Sequence, residues 1–147
     1  MNRQYLTLSF VLLLFVQPVL AEQTEVDHVP YVGKRACIIS NGTTYCADRD
    51  YGGIFLYRGS AYCGAGKCLS KGGNVYCSPF SGGDIIRNNG ALWTGPGQCV
   101  KFNGNVRCAK EPMGMCIEKN GNVRCQGGWV KELPEKANRC ERSELFR

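Results

Sequence analysis

The chain has 147 residues, with 18 Lys and Arg against 12 Asp and Glu for a formal net charge of +6, a single histidine, ten cysteines and 19 glycines. The length allows one ordinary domain. The glycine and cysteine content argues against a long-helix or coiled-coil protein, and one histidine, His28, excludes a three-histidine zinc site.

Met1-Asn2-Arg3-Gln4 is short and basic, the stretch from Tyr5 to Val16 is almost wholly apolar, and Pro18 precedes Val19-Leu20-Ala21, a small-residue site of the A-x-A type. That order predicts a secretory signal peptide over 1–21. The apolar run is too short to span a bilayer comfortably, and no later stretch approaches a transmembrane length. Removing 1–21, whose only charge is Arg3, leaves 126 residues and lowers the net charge from +6 to +5. Residues 22–30 read as a polar leader. All ten cysteines follow the signal, and an even count at this density in an exported chain predicts a disulfide framework in a secreted or periplasmic protein. Zinc ligation predicts two close cysteine pairs; only Cys63 and Cys68 are spaced that way, so the expectation is no metal and no cofactor.

Residues 31–133 read as a hairpin-repeat domain. Four decapeptides begin and end with cysteine: 37–46, 68–77, 99–108 and 116–125. The first three start 31 residues apart, and the fourth starts 17 after the third. Tyr31, Tyr62 and Trp93 fall in the same register, as do Gly33, Gly64 and Gly95. The reading is a 31-residue repeat, with the first copy short of its opening and the fourth short of its first half. Within each decapeptide four residues flank each side of Asn41-Gly42, Gly72-Gly73, Asn103-Gly104 or Asn120-Gly121, the chemistry of a two-residue type I′ hairpin. Counting outward from the turn puts the two cysteines opposite each other in a non-hydrogen-bonded pair, where side chains approach most closely. This predicts Cys37–Cys46, Cys68–Cys77, Cys99–Cys108 and Cys116–Cys125, and leaves Cys63–Cys140 by elimination. Between the cysteine hairpins, 54–63 around Arg58-Gly59 and 85–94 around Asn89-Gly90 also read as hairpins. Two-stranded hairpins are marginal alone, so the units must stack or share sheet.

The tail, 134–147, is charged, and its Pro134-Glu135 start suits a short helix, stapled to the repeat domain by Cys140. The fold expected is therefore all-β, disulfide-clamped antiparallel hairpins with a short C-terminal helix.

Strand alternation gives each cysteine hairpin two faces. One carries the disulfide with Thr44, Val75, Val106 or Val123. The other sets an apolar residue opposite an aromatic or a guanidinium: Ile38/Tyr45, Leu69/Tyr76, Val100/Arg107 and Ile117/Arg124. Such groups pack as cross-strand pairs or offer flat stacking and anion-binding surfaces. With Trp93, the residues selected for ligand binding are Tyr45, Tyr76, Arg107 and Arg124. Catalysis has little to draw on. His28 lies in the leader, the cysteines are paired, and the acids Asp48, Asp50, Asp84 and Glu118 show no spacing that singles out a glycosidase pair. Asp48 and Asp50 lack the run of ligands that a calcium loop needs, and the glycine-rich segments lack the phosphate-loop pattern. Arg107, Lys110, Lys119, Arg124 and Lys131 tilt the C-terminal half positive, which attracts anionic partners. The expectation is a non-enzymatic binding module for a glycan, a cell-wall polymer or other polyanion, or an extracellular protein. Nucleic acid is not expected in an exported protein. A secreted toxin, antimicrobial or enzyme inhibitor is the alternative, and a small carboxylate-dependent hydrolase a third.

Overall fold

The computed structural model describes residues 31–32 and 34–142, and the predicted signal peptide and leader lie outside the described residues. The fold is all-β and antiparallel, with no helix among those residues. Strands β1 (Tyr31–Val32), β2 (Arg35–Ser40), β3 (Thr43–Cys46), β4 (Gly53–Tyr57), β5 (Ser60–Gly64) and β6 (Cys68–Lys71) open the chain. Next come β7 (Asn74–Cys77), β8 (Asp84–Asn88), β9 (Ala91–Gly95), β10 (Cys99–Phe102) and β11 (Asn105–Ala109). Last are β12 (Cys116–Lys119), β13 (Asn122–Cys125), β14 (Trp129–Val130), β15 (Glu135–Lys136) and β16 (Asn138–Arg139).

Six two-residue hairpins follow one another: β2–β3, β4–β5, β6–β7, β8–β9, β10–β11 and β12–β13. Each turn has positive φ at both central residues, for example Asn103 at 48° and Gly104 at 74°, as type I′ geometry requires. The four cysteine decapeptides each close on themselves, with Cα separations of 3.9–4.0 Å, and Cys63 bonds Cys140 across 77 residues.

The hairpins stack face to face. The disulfide face of β6–β7, with Cys68, Val75 and Cys77, buries against Phe55, Tyr57 and Tyr62 of β4–β5. One step on, Cys99, Val106 and Cys108 bury against Ile86 and Trp93. Glycine makes this approach close enough. A Cβ on Gly64 would overlap the Cys77 side chain, and one on Gly95 would overlap the Cβ of Cys108. Backbone bonds tie each hairpin at its open end: Ala47 N–H donates to Ala36 O, Ser78 to Lys67 and Ala109 to Gln98, at 2.8–2.9 Å.

The fourth cysteine hairpin departs from its sequence alignment. Its cysteines match those of β10–β11, but the connection leading into it is bonded like the one leading into β8. Met113 N–H donates to Pro96 O and Gly114 to Glu111, as Gly82 donates to Ala65 and Gly83 to Phe80. The β12–β13 hairpin thus stands in the position of β8–β9, with Cys116 and Cys125 where that hairpin has Ile85 and Thr94. It is the complete next hairpin and not a unit missing its first half.

The expected C-terminal helix over 134–147 is not formed; its residues 143–147 lie outside the described part. Gly127 and Gly128, at φ 73° and 86°, reverse the chain, and the tail runs back along the stack as an extended strap. It pairs Val130 with Cys108, Glu132 with Thr94, Glu135 with Cys77, Asn138 with Cys63 and Arg142 with Tyr45. The strap thus advances two to four residues per hairpin. At about 3.3 Å per residue, three residues cover about 10 Å, the spacing of stacked sheets. A charged helix this short is marginal in water, whereas the open edges of five hairpins offer unpaired backbone groups. Ala137 N–H donates to Val75 O and Cys140 N–H to Ala61 O, both at 2.9 Å.

Two tests follow from this packing. Gly95→Ala is expected to lower stability by about 1–3 kcal/mol, read by denaturant unfolding. Replacing Cys63 and Cys140 together with serine releases the long loop and should cost about 4 kcal/mol. Amide exchange at Ala137 and at position 140 should then rise before that of Val75 and Val106.

Candidate functional site

The strap decides where the side chains selected from sequence stand. Tyr45 lies opposite Ile38 and is bridged on its other side by Arg142. Tyr76 lies opposite Leu69 and beside Lys136, and Tyr62, opposite Phe55, lies beside Arg139. Cross-strand neighbours share a face, so each of these three tyrosines has a strap cation next to it. Lys136, Arg139 and Arg142 are exposed, and none joins an ion pair among the described residues. Together with Arg35 and Arg49 they line a polar groove of about 600 Å³ beside the strap, whose acids are Asp48, Glu135 and Glu141.

None of the five residues selected from sequence lines this groove itself. Trp93 is half-buried, packed on the Cys99–Cys108 hairpin, with Lys131 Nζ 4.2 Å from its ring centre. Its ring is stacking material for the core. Arg107 sits 5.7 Å from the Phe102 ring and 5.3 Å from that of Trp129, a cation held between two aromatics. Arg124 is exposed on the last hairpin, where it lines a shallow pocket with Met115, Ile117 and Gln126. The structure therefore sets Tyr45 and Tyr76 beside strap cations without making either line the groove, Tyr76 facing a separate shallow pocket with Leu92 and Leu133, and leaves Trp93, Arg107 and Arg124 elsewhere.

Sequence reasoning missed Lys136, Arg139 and Arg142. Their three-residue spacing was the available signal. In a tail read as a helix it places charges near one face; in an extended strap it matches the step from one hairpin to the next.

Of the acids available for chemistry, Asp84 holds structure, Asp48 and Asp50 sit in exposed ion pairs and Glu118 is exposed. Asp84 accepts the Cys99 N–H at 2.8 Å and the Ile85 N–H at 3.0 Å, and pairs with Lys67 at 3.1 Å. Asp48 takes the Arg49 guanidinium at 3.1 Å, and Asp50 lies 3.7 Å from Arg35. The bond to Asp48 raises the Arg49 pKa above its ordinary value, and Lys34 is raised chiefly by the Tyr51 hydroxyl and then by Asp50. Both groups stay protonated at neutral pH and contribute charge. All ten cysteines are in disulfides, so no thiolate is available. No helix among the described residues is long and apolar enough to cross a membrane.

Comparison of the chain with protein families, with characterised proteins and with solved structures finds no match.

Trp93→Ala is expected to destabilise the fold by about 2–4 kcal/mol, since it empties a seat in the stack. Thermal unfolding measures this, and an unchanged melting temperature would place the ring outside the core.

Proposed function

We propose that the protein is an exported, non-enzymatic binding module, secreted or periplasmic, built on a 31-residue unit. Its strap-side groove receives an anionic surface polymer, such as an acidic glycan or a cell-wall polymer. The observation that carries this reading is the row Lys136, Arg139 and Arg142, three cations in a polar groove, none of them neutralised by an ion pair in the described residues. Extended backbone spaces them about 10 Å apart. Evenly spaced, unneutralised charge on a rigid edge suits a repeating anion better than a single small molecule. Tyr45 and Tyr76, paired with Arg142 and Lys136 of the row, supply flat surfaces for sugar rings. Five disulfides are the chemistry of an oxidising compartment and agree with export.

A second reading, a protein partner or an inhibited enzyme, is supported by Trp129 and Leu133, which stand 57% and 69% exposed on the strap.

Retention of the oxidised protein on heparin and on polygalacturonate, with a neutral glucan as control, tests the first reading. Binding should weaken steeply with salt. The triple change Lys136→Ala, Arg139→Ala and Arg142→Ala should lower affinity about 100-fold, at about 1 kcal/mol per cation. Retention that ignores both salt and these substitutions would overturn the reading. Loss of a captured extracellular protein on Trp129→Ala with Leu133→Ala, the triple variant still binding, would favour the second.

A further inference from the structure

The turns that lead out of the first three cysteine hairpins share one geometry. The N–H of Tyr51 donates to Lys34 O, that of Gly82 to Ala65 O and that of Met113 to Pro96 O, at 3.1–3.2 Å. The N–H of the next glycine closes each turn: Gly52 onto Arg49 O, Gly83 onto Phe80 O and Gly114 onto Glu111 O. In all three the residue before that glycine is left-handed, with φ 58° at Tyr51, 67° at Gly82 and 57° at Met113. Glycine is the usual occupant of such a place, and only the middle turn has one.

Tyr51 and Met113 therefore hold strained backbone where Gly82 shows that the turn needs no side chain. Their side chains converge over that glycine: a Cβ at position 82 would lie 3.3 Å from Met113 Cγ and 3.4 Å from Tyr51 Cβ. The contact does not bury them, since Tyr51 stays 44% and Met113 58% exposed. Large apolar residues kept at a strained surface position serve something other than the packing of the stack. Beside them opens a hollow of about 430 Å³, lined by Ala36, Gly53, Ile54 and Cys68, a size usual for small-molecule sites. Lys34 and Lys67 also line it, no carboxylate does, and it shares no residue with the strap-side groove.

We infer that this hollow binds a small amphipathic anion, a flat apolar ring bearing a carboxylate, with the ring against Tyr51 and Met113 and the carboxylate at Lys34. A tyrosine face and an adaptable thioether both favour a flat ring. The charge comes from Lys34, which joins no ion pair among the described residues. Its Nζ lies 5.4 Å from the centre of the Tyr51 ring, so an anion held there keeps its ring within reach of the tyrosine. Lys67 pairs with Asp84 at 3.1 Å and is the lesser contributor. The site stands apart from the strap and from the polymer reading, and either can fail without the other.

Titration of the oxidised protein with 2-naphthoate, followed by backbone amide shifts, tests this, with 2-naphthamide as the uncharged control. The native protein should show saturable shifts at Gly52, Gly82 and Met113, with a Kd of about 1 mM or tighter. The amide should bind at least about tenfold more weakly, and Lys34→Gln should abolish that preference. Tyr51→Gly and Met113→Gly should each weaken naphthoate binding at least about tenfold. Neither should lower the melting temperature, because glycine relaxes the left-handed turn. Absence of saturable shifts up to about 10 mM naphthoate, or shifts centred on Arg139 and Arg142 instead, would overturn the inference. So would a glycine variant that binds as well as the native chain, or an amide that binds as tightly as the acid.

Discussion

Everything in this fold depends on backbone approaching side chain where one hairpin meets the next. A ten-residue hairpin buries too little to hold itself. Its disulfide and adjacent valine become a core only when pressed on the rings of the preceding hairpin. That pressing needs the hairpin's last glycine to lie against a cysteine of the next, as Gly64 does on Cys77 and Gly95 on Cys108. Each ten-residue loop closed by a disulfide removes little chain entropy compared with a long one. The short disulfides act here as compact apolar side chains that shape a packing face as well as local staples.

The same packing sorts the aromatic and cationic residues into two classes. Rings on the inner course of the stack, such as Tyr62 and Trp93, pack against the following disulfide. Cations arrive from the strap and lie at the edge, where they stay solvated. The long apolar stems and charged heads of Lys and Arg suit such a position. The result is a surface whose charge comes from one segment and whose rigidity comes from another. This separation underlies the binding reading: the groove is polar, its walls are fixed by disulfides, and of its acids Asp48 is held by Arg49.

The hairpins were legible because turn chemistry and cysteine placement are local. Asn103-Gly104 with four residues on each side admits one ladder, and that ladder sets Cys99 against Cys108. The order of stacking was less legible. Cys116 and Cys125 drew their hairpin into alignment with β10–β11, although the loop before them, through Met113 and Gly114, is bonded like the one before β8. A disulfide can replace Ile85 and Thr94 in that position, so side-chain identity misled where backbone geometry does not. The tail was illegible for a further reason. Nothing local marks Glu135 or Asn138 as strand, since their partners lie 58 and 75 residues away, at Cys77 and Cys63. Pairing set by distant edges leaves no periodicity in the segment itself, and the groove cations went unselected with it.

The strap also changes how such an array can come apart. Repeats that touch only their neighbours behave as a one-dimensional chain, in which end units fray while the middle persists. A segment that hydrogen-bonds to five hairpins and is bolted near its far end adds couplings that skip across the stack. Fraying at the first hairpin must then also peel Arg142 from Tyr45. The array is thereby turned from a row of separable units into a body expected to melt cooperatively, and one whose first hairpin is complete only once Arg142 is in place.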